Sequence, residues 1–124
     1  MSLQRKLIIL GALLGGLSVG LGAFGAHALK AILVANNRIE TYELAVRYQF
    51  YHALALLVMA ALTDKLQANK LSWSTLLITS GTVVFSGSLY LLSLSGVTTW
   101  GAVTPIGGVL LIAGWLLLLL SARK

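Results

Sequence analysis

The side chains best suited to chemistry in this chain are two histidines, His27 and His52, and a serine inside the stretch GLSVGLGAFGAHA at residues 16–28. An imidazole can move a proton near neutral pH or ligate a metal, and a pair on adjacent helices can hold a b-type haem. The stretch matches three chemical patterns at once. GLSVG, around Ser18, has the spacing of a hydrolase nucleophile elbow, GLGAFG that of a dinucleotide loop, and Ala26-His27-Ala28 that of a signal-peptidase site. An elbow needs a strand-to-helix turn with a histidine and a carboxylate beside it. A dinucleotide loop needs a βαβ unit, and Glu40 has the ribose-binding spacing without those surroundings. A cleavable leader has a shorter apolar core than the one found here. All three matches fall inside an apolar run, so no catalytic residue is expected, and the chain is read as not an enzyme.

The elements that must position these groups follow from composition. Apolar residues make up 58% of the chain and charged ones 10%, against about a quarter charged in soluble domains. The mean hydropathy is +0.93, which marks an integral membrane protein. Four apolar runs occupy residues 7–29, 48–63, 73–94 and 101–120, and at about 1.5 Å per helical residue the long ones cover the roughly 30 Å of hydrocarbon. The second run is short, and the stretch at 39–47, with Glu43 and Arg47 at i,i+4, reads as an amphipathic lead-in that continues into the membrane. The expected fold is all-α: one domain over residues 1–124, a transmembrane four-helix bundle.

Nine basic residues give a net charge of +6 and lie mostly at the ends of the runs. That pattern suits membrane topology and lipid headgroups rather than nucleic acid. Four spans place Arg5, Lys6, Lys65, Lys70, Arg123 and Lys124 on one side and Lys30, Arg38 and Arg47 on the other. Both termini are therefore expected in the cytoplasm. Cysteine is absent, so disulfides and thiolate ligands are excluded.

On a helical wheel Gly11, Gly15, Ser18, Gly22 and Gly25 form one stripe of the first run, and Ala12, Gly16, Gly20 and Ala23 the opposite one. Small residues let membrane helices approach closely, so this helix is expected to be wrapped by protein on most sides. Gly87, Gly107 and Gly108 are read as packing positions too. Thr75, Thr79, Thr82, Ser86, Tyr90 and Ser93 share a sector of the third run. This hydroxyl stripe is expected to meet a glycine face, each Ser or Thr being able to bond a carbonyl one turn back.

With four spans, His27, Tyr48, Gln49, His52, Ser86, Tyr90 and Thr104 are expected to converge in the outer leaflet as a ligand-binding cluster. In this arrangement His52 lies about a turn into the membrane, oriented by Gln49 or Tyr48, with a shallow cavity near Pro105 and Gly107-Gly108. Two histidines without a carboxylate or thiolate are too few for a structural or hydrolytic zinc. No metal and no resident cofactor is expected. The leading reading is a non-enzymatic binding or scaffold protein that contacts membrane lipids and a membrane-protein partner or a second copy. Two alternatives stay open: a small-solute transporter or channel using the hydroxyl stripe, and a redox protein holding haem on His27 and His52.

The segments LGAFGAHAL (21–29), YQFYHALALL (48–57), GTVVFSGSLYLLSL (81–94) and TPIGGVLLIAGW (104–115) resemble the small family of bacterial membrane proteins typified by YgdD and YwdK. The resemblance touches all four runs in order. It implies a multi-pass protein of the bacterial inner membrane and a domain of unknown function, so it carries over no site residue.

Overall fold

The computed structural model describes residues 1–122. Arg123 and Lys124, two of the cations in the topology count, lie outside the described residues. Helices α1 (Leu3–Ala26), α2 (Lys30–Ala35), α3 (Ile39–Ala61), α4 (Ala68–Ser95) and α5 (Thr104–Leu120) make up almost all of the chain, with short 3-10 turns at Thr63–Lys65 and Thr98–Ala102. α1, α3, α4 and α5, the last with its preceding turn, are long and apolar enough to cross a bilayer.

The ends of these helices have local causes. Ser2 caps α1, its hydroxyl accepting the Arg5 N–H at 3.1 Å. α4 stops at Gly96, whose left-handed φ of 73° suits a residue without Cβ. Asn37, at φ 54°, turns the chain from α2 into α3. The second run therefore starts earlier than hydropathy alone suggests. Its helix runs unbroken from Ile39, so the amphipathic lead-in is the first part of the span.

The four long helices pack in chain order, α1 on α3, α3 on α4 and α4 on α5. α3 and α4 are central, and α1 and α5 keep broad outward faces. On α1 one glycine stripe is used. A Cβ at Gly11 would meet the Ala53 carbonyl at 2.9 Å, one at Gly25 would strike the Tyr42 ring at 2.3 Å, and Gly22 faces Val46. Gly16 and Gly20, on the opposite stripe, have nothing within 4 Å of a Cβ, and neither does Gly87. The expectation that protein wraps most of α1 is corrected accordingly: among the described residues α3 covers one side of it, with α4 touching its N-terminal end.

The hydroxyl stripe of α4 does not meet those glycines. Ser86 and Tyr90 face α3, Thr75 and Thr79 line the side toward α1, and the register of α4 is set by side chain to backbone bonds. Ser86 Oγ donates to the Ala45 carbonyl of α3 at 2.7 Å, and Ser74 Oγ to the Gly114 carbonyl of α5 at 2.7 Å. Gly81, Gly107 and Gly114 bring α4 and α5 together; Gly81 and Gly114 were not singled out by the sequence. A Cβ at Gly107 would lie 2.4 Å from the Phe85 backbone nitrogen, so the region below Pro105 is filled by close packing rather than open as a cavity.

Candidate functional site

Depth within the bilayer decides which groups can meet. Leu92 touches Gly101 beside Trp100, and Trp73 stands 19 positions earlier on the same helix. At about 1.5 Å per residue the two exposed indoles lie roughly 28 Å apart along α4, close to the hydrocarbon thickness. The Ser86 to Ala45 bond sets α3 in this frame, with Ile39 level with Leu92. His52, thirteen residues into α3, is then on the order of 20 Å below the Trp100 level.

His52 is buried and both ring nitrogens are engaged. Nδ1 stands 2.7 Å from the Tyr48 carbonyl, and Nε2 accepts the indole N–H of Trp115 at 3.0 Å. An indole can only donate, so Nε2 carries the lone pair, Nδ1 carries the proton, and the ring is neutral. The Tyr48 ring stands tilted against the imidazole at 6.2 Å and stacks on Phe85 at 4.9 Å. Gln49 turns elsewhere. Its amide donates to the Leu14 carbonyl of α1 at 3.0 Å and its carbonyl accepts the Tyr90 hydroxyl of α4 at 2.5 Å. Tyr42 joins this layer, bonding the Leu21 carbonyl and meeting the Tyr90 ring edge-on at 5.3 Å. Gln49 thus ties three helices through two bonds.

Of the seven expected cluster residues, Gln49 and Tyr90 bond one another, and Ser86 lies beside them on α4. His52 and Tyr48 form a separate deeper unit with Trp115. Thr104 pairs with Ser88 at 2.6 Å. His27 is exposed in the turn after α1. The expected pairing of His27 with His52 in one leaflet is corrected by register: Gly15 faces Ala53, which places His52 about a dozen residues, or roughly 18 Å, from His27 along α1. A bis-histidine haem is therefore ruled out within one chain. Among the described residues no three His, Asp, Glu or Cys side chains gather to hold a metal. Protein purified from a haem-replete host should show no Soret band that is lost in His52→Ala; such a band would mean that Trp115 releases Nε2.

Trp115 was missed, although a signal existed. A tryptophan inside an apolar run, five residues from its end, brings an N–H toward hydrocarbon that needs an acceptor. Glu43 and Arg47 were noted only as helix support. In the depth frame they lie about 6 and 12 Å below the Trp100 level. A charged side chain at a helix centre costs about 2.5–3.5 kcal/mol on insertion scales, and such residues mark functional positions by default.

Both charges line a groove between α1 and α3. Its upper part, about 210 Å³, is bounded by Gly22, Gly25, Leu33, Tyr42, Glu43 and Arg47. The lower part, about 400 Å³, shares Gly22, Val46 and Arg47 and continues over Val19, Ala23, Phe50 and Tyr51. The groove exists because α1 supplies mostly small residues here while α3 supplies rings. A second groove toward the Trp73 end, between α1 and α4, carries Lys6 beside Ser72 and Thr79, and the Thr79 hydroxyl is buried without a partner among the described residues.

Residues 21–108 match the family model described as protein of unknown function DUF423. The chain is 47% identical to a UPF0382 membrane protein of Staphylococcus haemolyticus over 98% of both chains. It is 43% identical to the UPF0382 membrane protein YwdK of Bacillus subtilis, again over 98% of both. The UPF0382 inner membrane protein YgdD of Escherichia coli is 41% identical over 98% of this chain and 92% of its own. No solved structure matches.

Proposed function

We propose, for a chain that belongs to the DUF423 family of membrane proteins, a non-enzymatic module of the bacterial inner membrane that holds a bilayer-borne ligand in its α1–α3 groove. One observation carries this reading. The polar side chains Gln49, His52, Ser86 and Tyr90 between the helices are spent on bonds within the chain, whereas Glu43 and Arg47 line an outward cavity between α1 and α3. Groups already bonded are poorly placed for acid–base or nucleophilic work. The inner-membrane assignment follows the name of the Escherichia coli relative.

The transporter reading has less support. On α4, Thr75, Thr82 and Ser93 each donate to the carbonyl one turn earlier at 2.7–2.8 Å, so these three hydroxyls are satisfied without a water path, and Thr79 is the stripe member left without a partner among the described residues. The positive-inside rule orients the module with both termini cytoplasmic and the groove toward the outer leaflet. Reporter fusions at the two termini should both read cytoplasmic, and an external N-terminus would overturn that orientation.

Ala23 is exposed and lines the lower groove. Ala23→Trp should fill it and strip the ligand that co-purifies with the wild type. Stability should move by no more than about 0.5 kcal/mol, as for other outward substitutions. A variant that retains the same ligand places binding elsewhere.

A further inference from the structure

We infer that the groove takes a zwitterionic phospholipid whose headgroup ends in a primary ammonium, a phosphatidylethanolamine, from the leaflet on the Trp100 side. This rests on the groove reading above and adds the chemistry of the occupant. Glu43 and Arg47 project from successive turns of α3 into one cavity. Their order matters. Arg47 is the deeper by about one turn, on the order of 6 Å, and Glu43 is nearer the membrane surface.

A phosphatidylethanolamine presents its charges in the complementary order. The phosphate lies next to the glycerol, toward the hydrocarbon, and the ammonium extends outward beyond two carbons. A guanidinium offers a planar fork of donors that fits phosphate oxygens, and a headgroup settling into the groove brings its phosphate within reach of Arg47. The Glu43 carboxylate accepts from the ammonium. A glycerol headgroup brings no cation for Glu43 to face, and a quaternary ammonium has no N–H to donate.

The rest of the groove fits an acyl chain. Below Arg47 the walls are Val19, Ala23, Phe50 and Tyr51, with Gly22 opening the way. Above, Leu33 of α2 and Ile39 close over the headgroup end. The Lys6 groove at the opposite end has a cation and no acid among its lining residues, and serves as an internal comparison.

The test uses the full chain in nanodiscs of equimolar phosphatidylethanolamine and phosphatidylglycerol with matched acyl chains, released for native mass spectrometry. The wild type should retain phosphatidylethanolamine about tenfold over phosphatidylglycerol, the discrimination expected of one well-placed charge pair. Glu43→Gln should lose that preference while still retaining lipid, Arg47→Gln should lose both adducts, and Lys6→Gln should leave the pattern unchanged. Helicity by circular dichroism shows that the variants remain folded. Equal retention of the two lipids by the wild type, a preference for phosphatidylglycerol, or selectivity intact in Glu43→Gln overturns the headgroup assignment. A lipid-free dimer mass overturns it as well. If selectivity is absent yet Ala23→Trp still removes the adduct, the groove reading stands without it; if the adduct survives Ala23→Trp, both fail.

Discussion

Gly107→Ala should loosen the α4–α5 pair and destabilise the protein by about 2 kcal/mol. The added Cβ would sit 2.4 Å from the backbone nitrogen of Phe85 and 2.7 Å from its Cα. Backbone cannot swing aside as a side-chain tip can, so the helices must separate. Overpacking costs about 1–3 kcal/mol, with a clash against backbone at the upper end, and alanine regains up to ~1 kcal/mol of helix propensity over glycine, which leaves about 2 kcal/mol. The steric term wins. Gly16→Ala gives the opposite sign, since nothing lies within 4 Å of its Cβ and the propensity gain is unopposed. Thermal unfolding in detergent reads both, and a stabilised Gly107→Ala would mean that α5 sits farther from α4 than described.

Gln49→Leu should cost a further amount of similar size, about 2 kcal/mol, because it leaves the Tyr90 hydroxyl without its acceptor between helices. The Leu14 carbonyl loses less, since the Ser18 hydroxyl also donates to it, at 2.8 Å. Ser86→Ala removes a donor from a carbonyl already inside a helix, and membrane hydrogen bonds of that kind average only about 0.6 kcal/mol. The ordering Gln49→Leu well above Ser86→Ala is the informative result. Pairing Gln49→Leu with Tyr90→Phe should recover part of the loss, because the stranded hydroxyl is then gone. An additive pair would show that the two side chains do not share the bond.

Much of the architecture was legible because hydropathy and glycine spacing are local. Four spans and one packing stripe on α1 through Gly11 and Gly25 follow from period and length. What escaped was depth. Reading the second span from the first purely apolar residues placed His52 a turn below the surface and left Glu43 and Arg47 outside. The helix begins at Ile39, which moves His52 past the middle of the bilayer and draws both charges into it. That start depends on α2 and Asn37, and on the Asn36 amide donating to the Ser93 carbonyl at 2.9 Å, a contact 57 residues apart that no local pattern encodes. Trp115 escaped for the same reason, since its acceptor is brought near by register across α3, α4 and α5.

The groove with its two charges is also where these corrections meet function. With the histidine pair dissolved, the chemistry left facing the bilayer is an acid and a base one turn apart beside small residues of α1. A structure of the protein determined in lipid, with whatever it carries from the membrane, tests this most directly. The account predicts an elongated occupant between α1 and α3, its head at Arg47 and Glu43 and its tail along Phe50 and Tyr51. An occupied site at His52 with that groove closed by side chains would contradict it.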